Sequence, residues 1–504
     1  MPNAHPPGST RFAGYPSAFV YDAPRGKKRA VQHLLWGDWL RVTGEPSGSY
    51  IPVRARGEDG WMHADEVGAH RLLEIAFLDV GQGDGCLVVT PDDRHLIIDA
   101  GQFDNMYRFL RWRYGGFRRN WTFEAGILTH PDQDHYGGFG DIFLDPFVRF
   151  ETLYHNGIME RYGTRALGAT RKRGGRTYLT SLVRSLEQLR SFLARKSNWQ
   201  NPTGARRNEK QYAAMLDLGL RNESFGEFRA LSVGDGFVPG YGAGQPLSLQ
   251  VLGPVTEPPD PSNGMLRTLG SDAKTKNGHS IVLRLLYRSV SVFLGGDLNT
   301  TSQELLLEHH TGLDPRPRSV EAYEALVTAA RRVFQVDVAK ACHHGAADLS
   351  TKFLAALNPV ATVISSGDDE PHSHPRADAL GATGLHSRGT RPLIFSTELA
   401  RSHRDVMKRP EVLRNRLKEL RAEIPLAPEG SALRKRLIRE FDKAVDGLER
   451  SVAVYGTIQL RSDGHRVVLA QKLERPRGST KWDLYRLEPQ GTQGPLRHLS
   501  TYED

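Results

Sequence analysis

Six consecutive positions, His130 to His135, carry two imidazoles and two carboxylates within the stretch Thr129-His130-Pro131-Asp132-Gln133-Asp134-His135-Tyr136-Gly137-Gly138. Neutral imidazole and carboxylate are donor types that suit zinc, manganese or iron, and two of each supply enough donors to begin two adjacent metal sites. A helix-capping loop is the plainer reading, but a cap employs one such residue and not four. In a two-metal hydrolase the cations stand roughly 3.5–4 Å apart, generate a hydroxide at neutral pH, and stabilise both the attacking and the leaving oxygen of a displacement. That chemistry suits phosphoesters.

Each donor needs an element to deliver it. Ala125-Gly126-Ile127-Leu128 reads as a buried strand, which places the ligands on a loop at its C-terminal end, and the Gly137-Gly138 pair permits a tight turn into the next helix. Upstream, Ile75 to Leu78 and Cys86 to Val89 read as strands around a glycine-rich turn, and Leu96-Ile97-Ile98 ends in Asp99. If the sheets are stacked, the rim carrying Asp79, Asp84 and Asp99 also carries the metal loop. Asp84 is equally readable as a turn residue capping its own backbone. Asp99 follows three apolar residues and needs a partner, which the loop histidines provide if it accepts a hydrogen bond from one of them. His155, at the end of Leu153-Tyr154, is expected to face the same rim and either complete the first metal site or touch substrate. Downstream, Val290 to Leu294 leads through Gly295-Gly296 to Asp297, uncrowded enough to bridge two cations or free to cap a helix ahead of Ser302. Val336 to Cys342 leads in the same way to His343-His344-Gly345, and His374 follows a loop.

The bulk properties are those of an ordinary globular chain. The 504 residues are 39% hydrophobic and 25% charged, enough for two or more domains and outside the membrane and collagen classes. With 67 Lys+Arg against 58 Asp+Glu the net charge is +9, compatible with a polyanionic partner. Two cysteines, Cys86 and Cys342, cannot make a disulfide framework and suggest a reducing compartment. There is no apolar segment long enough to span a bilayer and no secretion signal, so the expected location is cytoplasmic. The basic residues concentrate between Tyr154 and Gly244, including Arg161, Arg165, Arg171, Lys172, Arg173, Arg176, Arg184, Arg190, Arg195, Lys196, Arg206, Arg207 and Lys210. Such a segment, emerging just after the metal loop, either guides a phosphate backbone by charge or is a solvated helical face. Leu182, Val183, Leu186, Leu189, Phe192 and Leu193 are spaced as an amphipathic helix inside it.

Phe77-Leu78-Asp79-Val80-Gly81-Gln82-Gly83-Asp84, Leu96-Ile97-Ile98-Asp99-Ala100-Gly101, Leu128 to Gly138, Gly295-Gly296-Asp297-Leu298 and Cys342-His343-His344-Gly345 occur in the order and rough spacing of the metallo-β-lactamase superfamily. The chain resembles its branch of hydrolase domains attached to the competence protein ComEC, in which Asp replaces the middle His of His-x-His-x-Asp-His. Serine is usual there at the positions of Gly85 and Ala346, a departure that bears on hydroxyl contacts to phosphate and leaves the metal ligands intact. Short alternating strands from Tyr15 to His70, with Trp36, Trp39 and Trp61, resemble the bacterial SH3-like domain. The resemblance implies an α/β fold: a metallo-β-lactamase αββα sandwich with a small N-terminal SH3-like β-barrel and helical insertions. The expected organisation is a disordered N-terminus over 1–14, the barrel over 15–70, and the hydrolase over 71–400 with a basic insertion at about 158–245. A charged helical insertion over 401–452 and a C-terminal hairpin and tail over 453–504, completing the hydrolase sheet, follow.

On this basis His130 and Asp132 are expected on a first metal, Asp134 and His135 on a second, Asp297 between them, and a further ligand from the His343–His344 pair. His344 is preferred because the following glycine lets the backbone turn close to the metal. His374 is then the group suited to donate a proton or contact phosphate, although its role and that of His344 are interchangeable from sequence order alone. Asp134 and His343 are also placed among the catalytic residues, and Asp79, Gln82, Asp84, Asp99, His155 and Lys340 among those that support ligands or touch substrate. The expected cofactors are two divalent ions, Zn or Mn, with Asp132 tilting the choice toward manganese. The expected activity is a metal-dependent phosphodiesterase, a nuclease acting on nucleic acid. The alternatives are hydrolysis of a small phosphoester such as a cyclic nucleotide, of a carboxylic ester or lactone, or a non-catalytic binding module whose SH3-like part recruits a protein partner.

Overall fold

In the computed structural model, which describes residues 5–201, 209–258, 260, 262–367, 373–397, 410–449, 456–491 and 494–500, the chain is a mixed α/β protein with several sheets. The largest sheet has ten strands, in the order Phe225–Ala230, Val148–His155, Trp121–Ile127, His95–Ala100, Gly85–Val89, Leu73–Phe77, Ile458–Ser462, Val467–Arg477, Thr480–Pro489 and Leu496–Leu499. A six-stranded sheet runs Leu247–Gly253, Val282–Tyr287, Val290–Leu294, Val338–Lys340, Ala361–Ile364 and Leu393–Ser396. Ile75, Phe77, Val88, Ile98 and Ile127 of the first sheet share one core with Leu283, Val292, Val338 and Val363 of the second. The other side of the ten-stranded sheet is covered by helices Asn105–Arg113, Gln133–Phe143, Leu186–Ala194 and Gln211–Arg221. Thr300–Thr311, Val320–Phe334 and Thr351–Leu357 cover the six-stranded one. Strands buried on both faces are largely apolar, which is why they read as near-continuous hydrophobic runs.

From His95–Ala100 out to Phe225–Ala230, and from Val290–Leu294 to Leu393–Ser396, neighbouring strands are parallel. Their carboxyl ends therefore lie along common rims, the usual place for a site in α/β sheets.

Seven short strands precede the large sheet: Thr10–Ala13, Ser17–Tyr21, Ala30–Leu35, Trp39–Val42, Tyr50–Ala55, Glu58–His63 and Val67–Gly68. They form an antiparallel sheet over Val20, Leu34, Leu40, Val53 and Met62. Two expectations are corrected here. Thr10–Ala13, assigned to a disordered terminus, is a strand paired on both sides, because Phe12 and Ala13 are buried; residues 1–4 lie outside the described residues. Nor does the sheet close into a barrel, since Ala30–Leu35 and Val67–Gly68 are the ends of the ladder. The first of these edges meets the large sheet instead: Lys481 N donates to His33 Nδ1 at 2.9 Å and Trp482 Nε1 to His33 O at 3.3 Å.

The basic segment is not wholly an insertion. It contributes the hairpin Thr170–Arg173 and Arg176–Leu179, which adds Leu266–Arg267 as a third strand, and two of the covering helices. It also supplies Phe225–Ala230, an edge strand of the ten-stranded sheet that buries Phe225 and Phe228. Its amphipathic helix starts at Leu186, leaving Leu182 and Val183 ahead of it, and Arg206 and Arg207 lie outside the described residues. Later, Pro410–Leu426 and Ala432–Glu449 pack through Leu417, Leu420, Leu437 and Phe441. Ile458–Ser462 then returns to pair with Leu73–Phe77. Among the described residues no helix is long and apolar enough to cross a membrane.

Candidate metal centre

Leu128 to Asp132 cross the rim after strand Trp121–Ile127, and helix Gln133–Phe143 begins at once. Asp134 and His135 therefore stand in the first helical turn, not on a loop, where the helix N-terminus favours a carboxylate. Gly137 and Gly138 are helical too, contrary to the expected turn. A Cβ on either would strike the carbonyl oxygen of Gln102 or Ala100, so the pair lets this helix rest directly on the chain leaving strand His95–Ala100.

One ligand atom from each of Asp134, His135, Asp297 and His344 lies within 4.8 Å of the other three. His135 Nε2 is 3.2 Å from Asp297 Oδ1, and His344 Nε2 is 3.3 Å from Asp297 Oδ2 and 3.5 Å from Asp134 Oδ2. His135 Nε2, His344 Nε2 and Asp297 Oδ1 are buried atoms with no partner beyond these contacts within the cluster. Polar atoms so desolvated are costly unless something fills the space between them, and the donor set fits a divalent cation.

Other residues hold these ligands in place. Asp99 Oδ2 is 2.8 Å from His135 Nδ1, while Thr129 donates to both oxygens of Asp99, from N at 2.8 Å and from Oγ1 at 2.6 Å. His344 Nδ1 lies 3.1 Å from Ser365 O and 3.2 Å from Asp84 Oδ1. Lys340 Nζ is bonded to Asp84. Backbone strain accompanies the arrangement: Asp99, His343 and His344 have φ of 53°, 49° and 54°, a region that non-glycine residues occupy at a cost. Asn299, not Asp297, caps the helix that follows, its Oδ1 accepting from Ser302 N at 3.1 Å.

The electrostatics are those of an acid-rich cage. Burial alone would lower the pKa of His135, but Asp297, Asp99 and Asp134 outweigh it and hold the imidazole protonated well above its usual range. His344 is raised in the same way, Asp297 and Asp84 overcoming burial. Asp297 is held well below the carboxylate range against burial by His344, His135 and His343. A cage of this kind demands positive charge, which a divalent cation held by these residues would supply in place of the protons.

The remaining predicted residues divide. His130 is fully buried beside the cluster, its ring 4.1 Å from that of His135, and burial followed by the charge of His135 keeps it neutral. Asp132 is drawn aside: its Oδ2 is 3.7 Å from His130 Nε2, but its carboxylate is bonded to Lys276, which also lies 3.0 Å from Glu160 Oε1. His343 Nε2 is 3.8 Å from Asp297 Oδ2, and the ring of His374 is 5.7 Å from that of His343 and 6.2 Å from that of His344. Asp79 accepts from Gly81 N at 3.1 Å, shaping the turn whose next residue, Gln82, accepts through its backbone from Gln102 N at 3.4 Å. His155 has another role than the one expected: its Nδ1 accepts from Gly157 N at 3.2 Å, its ring packs on Phe228 at 4.0 Å, and burial lowers it to about 3. Sequence reasoning passed over Lys276, Glu160, Thr129, Ser365 and also Ser280, whose Oγ lies 3.3 Å from His130 Nδ1 and accepts from Asp297 N at 3.0 Å. Thr129 alone stood inside the motif, and an oxygen donor beside two histidines was the available signal.

No protein-family model matches the chain, and a search of curated proteins returned no match.

Proposed function

We propose that the chain is a metal-dependent hydrolase of the metallo-β-lactamase superfamily, its facing sheets forming the αββα sandwich and its N-terminal sheet an SH3-like module open to a protein partner, and that its substrate is a nucleic-acid phosphodiester. The convergence of Asp134, His135, Asp297 and His344 on one buried point at a strand-end rim carries the reading. A cation of the zinc or manganese kind bound there supplies Lewis acidity and makes a water acidic enough to attack at neutral pH. Asp99 and Asp84 orient His135 and His344 toward it. His343, whose side chain is 29% exposed, stands with His374 where substrate enters, and imidazole is suited to pass a proton to a leaving oxygen at neutral pH. Support for a polyanionic substrate comes from Arg171, Lys172 and Arg173, exposed on the hairpin. Arg161 and Arg184, by contrast, are committed to backbone carbonyls of Met159 and Gly264.

The test is direct. Protein stripped of metal and reloaded with Mn²⁺ or Zn²⁺ is expected to cleave DNA or RNA, and Asp134→Ala combined with His135→Ala to lose cleavage while keeping its circular dichroism spectrum. Undiminished cleavage by the double variant, or hydrolysis confined to cyclic nucleotides and small esters, overturns the proposal.

A further inference from the structure

Resting on the metal-hydrolase reading, we infer that the centre takes one divalent cation and not two, because the ammonium of Lys276 stands where a second cation would have to sit beside His130 and Asp132. Lys276 belongs to the short helix Asp272–Gly278 and its side chain is 13% exposed. Its Nζ is bonded to Asp132 and lies 3.0 Å from Glu160 Oε1, so two carboxylates already share its charge. Asp132 Oδ2 is 3.7 Å from His130 Nε2, which means that a cation reached by both residues would lie within a few ångströms of the ammonium. Like charges that close, in a half-buried place, repel strongly.

The other group that could take a second cation is Asp84, Asp99 and His135, which also brings one atom of each within 4.8 Å of the others. It too is provided for. Lys340 Nζ is bonded to Asp84, and the Asp99 oxygens accept from Thr129 and face His135 Nδ1. Asp134 and Asp297 differ from Asp132 and Asp84 in that, among the described residues, their ion pairs run to His135, His343 and His344 and to no lysine. One dication balances those two carboxylates. Lys276 thereby fixes the metal count, a part played by an ammonium that cannot be lost to a chelator.

The experiment counts metal. The full chain is stripped with a chelator, loaded with Mn²⁺, freed of unbound ion by gel filtration and assayed by elemental analysis, in parallel with Lys276→Met, which keeps the stem and removes the charge. The unaltered protein is expected to hold one Mn²⁺ per chain. Lys276→Met is expected to hold two, the second more weakly, with the paramagnetic resonance signal of a coupled pair that the unaltered protein lacks. Lys276→Gln takes the place of the Met variant if that one does not fold. Two ions in the unaltered protein overturn the inference, as does a Lys276 variant that stays at one. No ion in either protein overturns the metal-hydrolase reading itself.

Discussion

Nδ1 of His135 lies 2.8 Å from Oδ2 of Asp99, and Asp99 reaches it from a left-handed backbone at a break in the register between strands His95–Ala100 and Gly85–Val89. The contact fixes which ring nitrogen carries the proton and aims Nε2 at Asp297. Carboxylates behind a ligating histidine typically contribute a factor of 10 to 100 in metal affinity. Asp99→Asn should therefore weaken Mn²⁺ binding by roughly 10- to 100-fold in a competition titration against a chelator, with the fold retained. An affinity equal to that of the unaltered protein would show that Asp99 acts on the backbone alone.

Metal entry should release protons. His135 and His344 are held protonated above their usual range while the cage has no other cation, so each must deprotonate to offer Nε2. Affinity then falls as pH drops and continues to rise with pH above 6.5, because the raised pKa values place the competition there. Calorimetry in buffers of different ionisation enthalpy reads the proton count directly. Binding heats independent of buffer would contradict the protonated cage.

Acid should loosen the join between the termini. Glu74 lies 2.7 Å from both Arg113 Nη2 and Arg461 Nη1, and Arg461 is also 3.5 Å from Asp38 of the N-terminal sheet. Burial would raise Glu74, but the arginines outweigh it and hold the carboxyl at about 2 against an ordinary 4.5. A depressed carboxyl contributes stability that is complete above pH 4.5 and is lost as pH falls toward about 2. Glu74→Gln should lower the melting temperature at neutral pH, by roughly 3 kcal/mol of stability, and flatten its decline over that acid window.

The exposed hairpin offers a check on substrate class. Changing Arg171, Lys172 and Arg173 together to Gln should weaken oligonucleotide binding and reduce the slope of log affinity against log salt by up to about 3. Turnover of a small phosphodiester should be unchanged, since none of the three belongs to the metal cluster.

The centre was largely readable because its ligands follow apolar strands and their polar chemistry is dense. Asp134, His135, Asp297 and His344 announced themselves by type and place, and the double-buried strands did so by being largely apolar. What escaped was whatever depends on distance in the fold. Lys276 looks like part of a solvated helix, and Asp132, its partner, is 144 positions away. His155 sits at a strand end as read, yet it packs on Phe228 from the neighbouring strand. Phe225–Ala230 hid among basic residues because this edge strand buries only Phe225 and Phe228, three positions apart, and so shows no strand alternation. Gly137-Gly138 resembled a turn, since a close approach between helix and strand leaves the same mark as a bend.

The strand Ile458–Ser462 lies between Leu73–Phe77 and Val467–Arg477, in the middle of the ten-stranded sheet. A ribosome delivers Leu73–Phe77 long before this neighbour, so for most of its synthesis the nascent protein exposes a hydrophobic strand edge beside the turn that bears Asp79 and Asp84. Such an edge invites pairing with another chain and is a natural client for a holding chaperone. That edge can thus be covered only after Ser462 has left the ribosome, and slow, chaperone-dependent maturation is the expected consequence of a sheet whose interior strand comes so late in the chain.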